Sequence, residues 1–209
     1  EAIDVNYARK LGYGIKLLAI SEKDSNQSKN EQSQPLSIWV EPTLVPEDNP
    51  LAGVNGVNNA ILVEGNPIGQ VMFFGPGAGS GPTASAVVAD ILNIAGIKSM
   101  SEDKPMNLDP LLSAKSWRNC HVAEEKDITK KNYIRLITED NPGVIGHIGT
   151  IFGEKNISIE SIVQFDSSDT EAEIVVITHK IKQGQLDQAL LDIKKLPEVK
   201  RIAATMGCL

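Results

Sequence analysis

Apolar positions along the chain come in short bursts, separated by polar, glycine-rich or proline-rich stretches. The first burst has helical spacing. Asp4 to Leu11 predicts a short helix, with Asp4 suiting the positive end of its dipole and Gly12 as its stop. Ile15 to Ile20 is apolar except for Lys16 and predicts a strand. Leu36, Ile38 and Val40 alternate with Ser37 and Trp39 and predict its partner. The intervening Ser21 to Gln34 has no large apolar side chain and predicts a solvated hairpin tip. Pro42, Pro46 and Pro50 punctuate an extended stretch. Val57 to Val63 and Ile68 to Phe74 then predict two more strands around a Glu64-Gly65-Asn66-Pro67 turn. All four strands are expected in one largely antiparallel sheet.

A helix is predicted from Thr83 to about Ala95, with Pro82 in its first turn and Gly96 as its stop. Residues 98–130 read as a linker. Lys98 to Asn119 contains Pro105, Pro110 and no clean period. The pattern then changes. Tyr133–Thr138 predicts a strand and Val144–Glu154 a helix, with Ile145, Ile148, Ile151 and Phe152 near helical spacing. Ile157–Gln164 and Glu173–His179 predict a hairpin, Gln185–Leu196 a second helix, and Val199–Thr205 a closing strand. The order βαββαβ is ferredoxin-like. The expected fold class is therefore α+β: a largely antiparallel sheet with helices over 1–97, the linker, and a ferredoxin-like module over 131–209.

Composition narrows the function. With 209 residues, 41% of them hydrophobic but only 4% aromatic, the core must be mostly aliphatic. A net charge of −7 and the lack of a basic run argue against nucleic-acid binding. No apolar stretch reaches the roughly 18 residues that a membrane span needs. Without a secretory signal, the expected compartment is the cytoplasm. Cys120 and Cys208 are far apart and predict free thiols, and the Cys120-His121 pair falls short of a metal site. The chain opens on Glu1 inside a helical pattern, so a preceding segment is expected.

Two loops carry candidate chemistry. Asp140-Asn141-Pro142-Gly143 lies between a strand end and a helix start. The amides of a first helical turn lack partners within the helix and suit a carboxylate. Asn141 offers a donor and an acceptor, and Gly143 permits close approach. The same spacing also fits a plain strand-to-helix turn capped by Asn or Asp. The second loop is Gly75-Pro76-Gly77-Ala78-Gly79-Ser80-Gly81. A dinucleotide fingerprint G-x-G-x-x-G would need glycine where Ser80 or Pro82 stands, so the spacing fails. The loop still precedes a helix, and its glycines suit either a cofactor's approach or a structural crossover.

Ile137-Thr138-Glu139-Asp140-Asn141-Pro142-Gly143-Val144-Ile145-Gly146, followed by Ile151 through Ile159, resembles an ACT domain. That family implies a regulatory amino-acid site at Asp140, Asn141, Gly143, Val144 and Ile145, often between paired copies. Tyr7 through Ile20, Pro42 through Pro46, Asn49 through Gly56, Asn59-Ala60-Ile61, Gly75 through Gly79 and Pro82 through Asp90 resemble homoserine dehydrogenase. This second resemblance implies interconversion of L-homoserine and L-aspartate 4-semialdehyde with NAD or NADP, on the route to threonine and methionine. It places the Rossmann domain and the catalytic lysine upstream of Glu1, so no catalytic residue is expected here. Lys10 and Lys16 belong to the later motif. It puts Gly79 against the cofactor and makes L-threonine the expected regulator. A homodimer or higher homo-oligomer is expected, favoured by the apolar face Ala84, Val87, Val88, Ile91, Leu92 and Ala95. The alternative is a non-catalytic amino-acid sensor that uses residues 1–97 only to dimerise.

Overall fold

The computed structural model describes residues 1–23, 35–99, 121–165 and 171–209, which form two compact units. One joins Glu1–Ala52 with Cys120–Leu209, and the other is Gly53–Asn119. The hairpin tip expected at Ser21 to Gln34 lies mostly outside the described residues.

The larger unit is built on a mixed sheet. Its strands are β1 (Tyr13–Lys23), β2 (Leu36–Pro46), β5 (Thr129–Glu139), β6 (Ile159–Phe165), β7 (Glu171–Thr178) and β9 (Val199–Cys208), in the spatial order β1-β2-β9-β5-β7-β6. A two-residue strand β8 (Ile181–Lys182) pairs with the start of β5. The segment β5, α3 (Val144–Glu154), β6, β7, α4 (Gln183–Ile193), β9 gives the expected βαββαβ order. β5 is buried without a break from Asn132 to Thr138. Such a run marks a strand covered on both faces.

Alternation along β5 divides those faces. Ile134 and Leu136 join Ile174 and Val176 against Ile148 and Phe152 of α3 and Leu186 and Ile193 of α4. Tyr133 joins Val175 and Ile177 against Tyr7 and Ala8 of α1 (Ala2–Lys10), together with Leu44 of β2 and Cys208 of β9. The N-terminal helix therefore forms the third layer of the ferredoxin-like module.

The hairpin of β1 and β2 is in register from Tyr13↔Pro46 to Lys23↔Leu36. It joins the sheet by a short parallel contact, Thr43↔Gly207 and Leu44↔Cys208. Glu41 ion-pairs with Lys130 across this junction. A Cβ at Gly207 would run into the Glu41 carboxylate, which would have to shift away from its present position to admit it.

The smaller unit is a hairpin of β3 (Asn58–Gly65) and β4 (Gly69–Pro76), followed by α2 (Ser80–Ser99). The single sheet expected over residues 15–74 is therefore two: β1 and β2 extend the larger sheet, while β3 and β4, among the described residues, pair with each other alone. Local alternation marks each strand but carries nothing about a partner more than 150 residues away. α2 also runs through Gly96 instead of stopping there. A glycine inside a helix costs only about 1 kcal/mol, which a helix of 20 residues absorbs. Of the span expected as linker, Lys98 and Ser99 finish α2 and Thr129–Lys130 open β5, while residues 100–120 lie outside the described residues.

Candidate functional site

β5 ends at Glu139, and the chain must turn from sheet to helix within four residues. Gly143 makes the turn with φ of 96°, a left-handed conformation natural to glycine. As the N-cap of α3 it has no side chain to offer, and no side chain caps the first turn. Val144 N–H reaches the Asn141 carbonyl only at 3.5 Å, while His147 N–H donates to the Gly143 carbonyl at 3.0 Å. The start of α3 thus presents amides to a cavity of about 410 Å³ in the angle between loop and sheet.

Two side chains hold the loop. Gln164 of β6 donates to the Asp140 carboxylate at 2.9 Å, and Asn141 donates to Glu139 at 2.9 Å. Behind the loop a second hollow of about 340 Å³ shares Glu139, Asn141, Pro142 and Val144 with the first, and adds His147, Pro197 and Glu198. The Glu139 amide donates to the Glu198 carbonyl at 2.8 Å, tying the end of β5 to the start of β9. A hydrogen bond from His147 holds the Glu198 carboxyl below its usual pKa.

Asp140, Asn141, Gly143, Val144 and Ile145 all line the cavity. Val144 is 5% exposed and its side chain joins the core beneath α3, whereas Ile145 is 40% exposed. Gln164, Thr138 and Ile174 also line it. Thr138 precedes the loop on β5, whereas Gln164 and Ile174 escaped sequence reasoning because β6 and β7 bring them in from elsewhere in the chain. The one available signal was Gln164 itself, a polar group near the end of an apolar strand.

Gly79 lies in the other unit. Its φ of 129° favours glycine whatever its surroundings. A side chain at Gly77 would run into Asn59, and the Gly77 amide donates to the Val57 carbonyl at 3.0 Å. The loop is thus braced from within at Gly77, while a Cβ at Gly75 or Gly81 would meet open space. Its exposed backbone at the start of α2 fits the approach of an anionic group. Cys208 is a buried free thiol, and Cys120 lies outside the described residues.

One constellation was not anticipated. Arg135 of β5 and Asp4 of α1, each 1% exposed, pair at 2.7 Å through Arg135 Nε. Tyr133 donates its hydroxyl to the same carboxylate at 3.1 Å, and Arg135 also donates to Glu173 of β7 at 3.1 Å. Burial raises the Asp4 pKa, but the hydrogen bond from Arg135, that from the Glu1 ammonium, the Arg135 charge and the Tyr133 hydroxyl together outweigh it and hold the carboxyl below the ordinary value. These contacts bind segments that sequence similarity separates.

Residues 1–92 match the homoserine dehydrogenase family model, and residues 132–198 match the ACT domain model. A homoserine dehydrogenase of Synechocystis is 48% identical over 209 residues, covering 100% of this chain and 47% of the relative. That of Corynebacterium glutamicum is 35% identical over 97% of this chain and 43% of its own length. The crystal structure of a homoserine dehydrogenase from Thiobacillus denitrificans superposes with a TM-score of 0.82 at 31% identity, over 99% of this chain and 45% of that one. The chain therefore spans about half the length of the curated relatives it matches. With a dehydrogenase segment followed by an ACT module in one continuous match, the chain belongs to the homoserine dehydrogenases and corresponds to their C-terminal region.

Proposed function

We propose that this chain carries the feedback-control site of a homoserine dehydrogenase, and that the cavity at Asp140–Gly143 binds a small amino acid, L-threonine. The observation that carries the reading is the pairing of opposite polarities in one cavity. Uncapped amides at the start of α3 suit a carboxylate. The Asp140 and Glu139 carboxylates suit an ammonium group. Ile145 and Ile174 offer an apolar wall to a short side chain, and the Gln164 amide offers a partner to a hydroxyl.

In the whole enzyme the proposed reaction interconverts L-homoserine and L-aspartate 4-semialdehyde. Bound NAD or NADP supplies the hydride chemistry. Gly79 and the start of α2 lie against that cofactor and leave its approach open. The 209 residues alone are expected to reduce no aspartate semialdehyde, because the family's catalytic lysine matches no position among them. The exposed apolar side chains Phe73, Phe74, Ile91 and Leu92 of the smaller unit support a homo-oligomer. No helix among the described residues is long and apolar enough to cross a membrane, and a cytoplasmic site of action accords with the family's chemistry. A free-standing sensor would leave the dehydrogenase match over residues 1–92 without a purpose.

Calorimetric titration of L-threonine into the wild type, Asn141→Ala and Gly143→Ala tests the site. Saturable binding by the wild type, weakened at least about tenfold (~1.4 kcal/mol) in Gly143→Ala, is expected. Equal binding by all three proteins, or none by the wild type, overturns the assignment.

A further inference from the structure

The cavity and α1 sit on opposite faces of the same two strands, one residue apart. Gln164 of β6 is in register with Ile174 of β7, and both line the cavity. The next pair in register is Phe165 and Glu173. Successive residues of a strand point to opposite faces, so this pair addresses α1. The contacts bear that out. The Phe165 ring stacks on Tyr7 of α1 with centroids 4.0 Å apart and planes 10° from parallel. Lys10 Nζ lies 5.2 Å from the Phe165 centroid. Glu173 accepts from Arg135, whose Nε bonds Asp4 of α1.

We infer that α1 is the output element of the regulatory site, and that Phe165 and Glu173 are the positions through which occupancy of the cavity reaches it. A ligand that engages Asp140 must compete with, or reshape, the hydrogen bond from Gln164. Any resulting shift of the β6 end moves Phe165 with it, because the two residues share a peptide unit. A close-packed contact passes such a shift on instead of absorbing it. The route is short. From Asp140 it runs through Gln164 and Phe165 to Tyr7, which stands at the start of the segment that continues into β1 and β2.

This inference rests on the amino-acid site proposed above, and one experiment separates the two. Hydrogen exchange of the α1 amides is followed with and without saturating ligand, after calorimetry with each of the twenty L-amino acids finds the ligand. In the wild type the α1 amides are expected to change their exchange rate at least about fivefold, the low end of ordinary coupling energies. Phe165→Leu keeps an apolar side chain, and Lys10→Met removes only the cation over the ring. Both are expected to bind the ligand, with the α1 response reduced in Lys10→Met and lost in Phe165→Leu. Binding without any α1 response in the wild type, or an undiminished response in Phe165→Leu, overturns the coupling and leaves the site standing. Binding of no amino acid overturns both.

Discussion

The two faces of the larger sheet solve the same problem by different chemistry. Under α3 and α4 the core is aliphatic with one aromatic, Phe152, and among the described residues no ionisable side chain is buried in it. Under α1 the buried set includes Asp4, Arg135, Tyr133 and Tyr7. Both faces exclude water, but only the second specifies its partner. An apolar face accepts most shapes of the right volume. A buried guanidinium accepts only a carboxylate in the right place, because a charge without a partner there is expensive. The α1 face therefore fixes one helix in one orientation, and the α3 and α4 face supplies bulk stability.

Single substitutions test this division. Phe152→Ala should cost about 3–5 kcal/mol by opening a cavity in the apolar face. Arg135→Met should cost a similar ~3–5 kcal/mol for a different reason, since it leaves the buried Asp4 carboxylate with only the Tyr133 hydroxyl and the half-exposed Glu1 ammonium as partners. The double variant Asp4→Leu with Arg135→Met separates the mechanisms. Removing both charges is expected to recover most of the loss, whereas no second substitution near Phe152 should do so. Chemical denaturation of the four proteins gives the answer. A loss below about 1 kcal/mol for Arg135→Met would mean that the ion pair does not specify the α1 face.

A smaller effect comes from pH. Burial pushes the Cys208 thiol from its ordinary 9.0 up to about 11, and the Tyr13 hydroxyl beside it from 10.0 to about 12. Both belong to the α1 face. A raised pKa means that the unfolded chain gives up its proton first. Stability from Cys208 is then complete below pH 9 and lost as pH rises from 9 towards 11, by at most roughly 3 kcal/mol. Denaturation midpoints measured across that range should fall in the wild type and fall less in Cys208→Ser. An identical slope in both would remove Cys208 from the account.

What could be read beforehand follows the same line. α3 is bounded at Val144 and Glu154 as its spacing predicts, and the Asp140–Gly143 loop sits where expected, because both depend on neighbours in sequence. The β1 and β2 hairpin is likewise local. The parallel contact of Leu44 with Cys208 was invisible, since no local pattern names a distant partner. Gln164 joins the site from 24 residues beyond Asp140. Arg135 did leave a trace. A charge in the middle of the run Tyr133 to Thr138 must find an opposite charge once that strand is buried on both faces. Asp4, on a helix 131 residues earlier, could not be picked out from the other acidic residues without the fold.

The smallest effect asks whether the apolar face has slack. Gly149 lies in the middle of α3, and a Cβ there would meet nothing within 4 Å. Alanine restricts the unfolded chain without a clash in the helix, so Gly149→Ala should stabilise the protein by about 0.5–1 kcal/mol. Gly143 begins the same helix with φ of 96° and should respond with the opposite sign, losing roughly 1–2 kcal/mol on Gly143→Ala. Thermal melts of the two variants check the pair. If both are destabilised, α3 is packed as tightly as α1 and the contrast between the faces fails. If only Gly143→Ala is, the helix is tolerant along its length and exacting at the one residue where it meets the cavity.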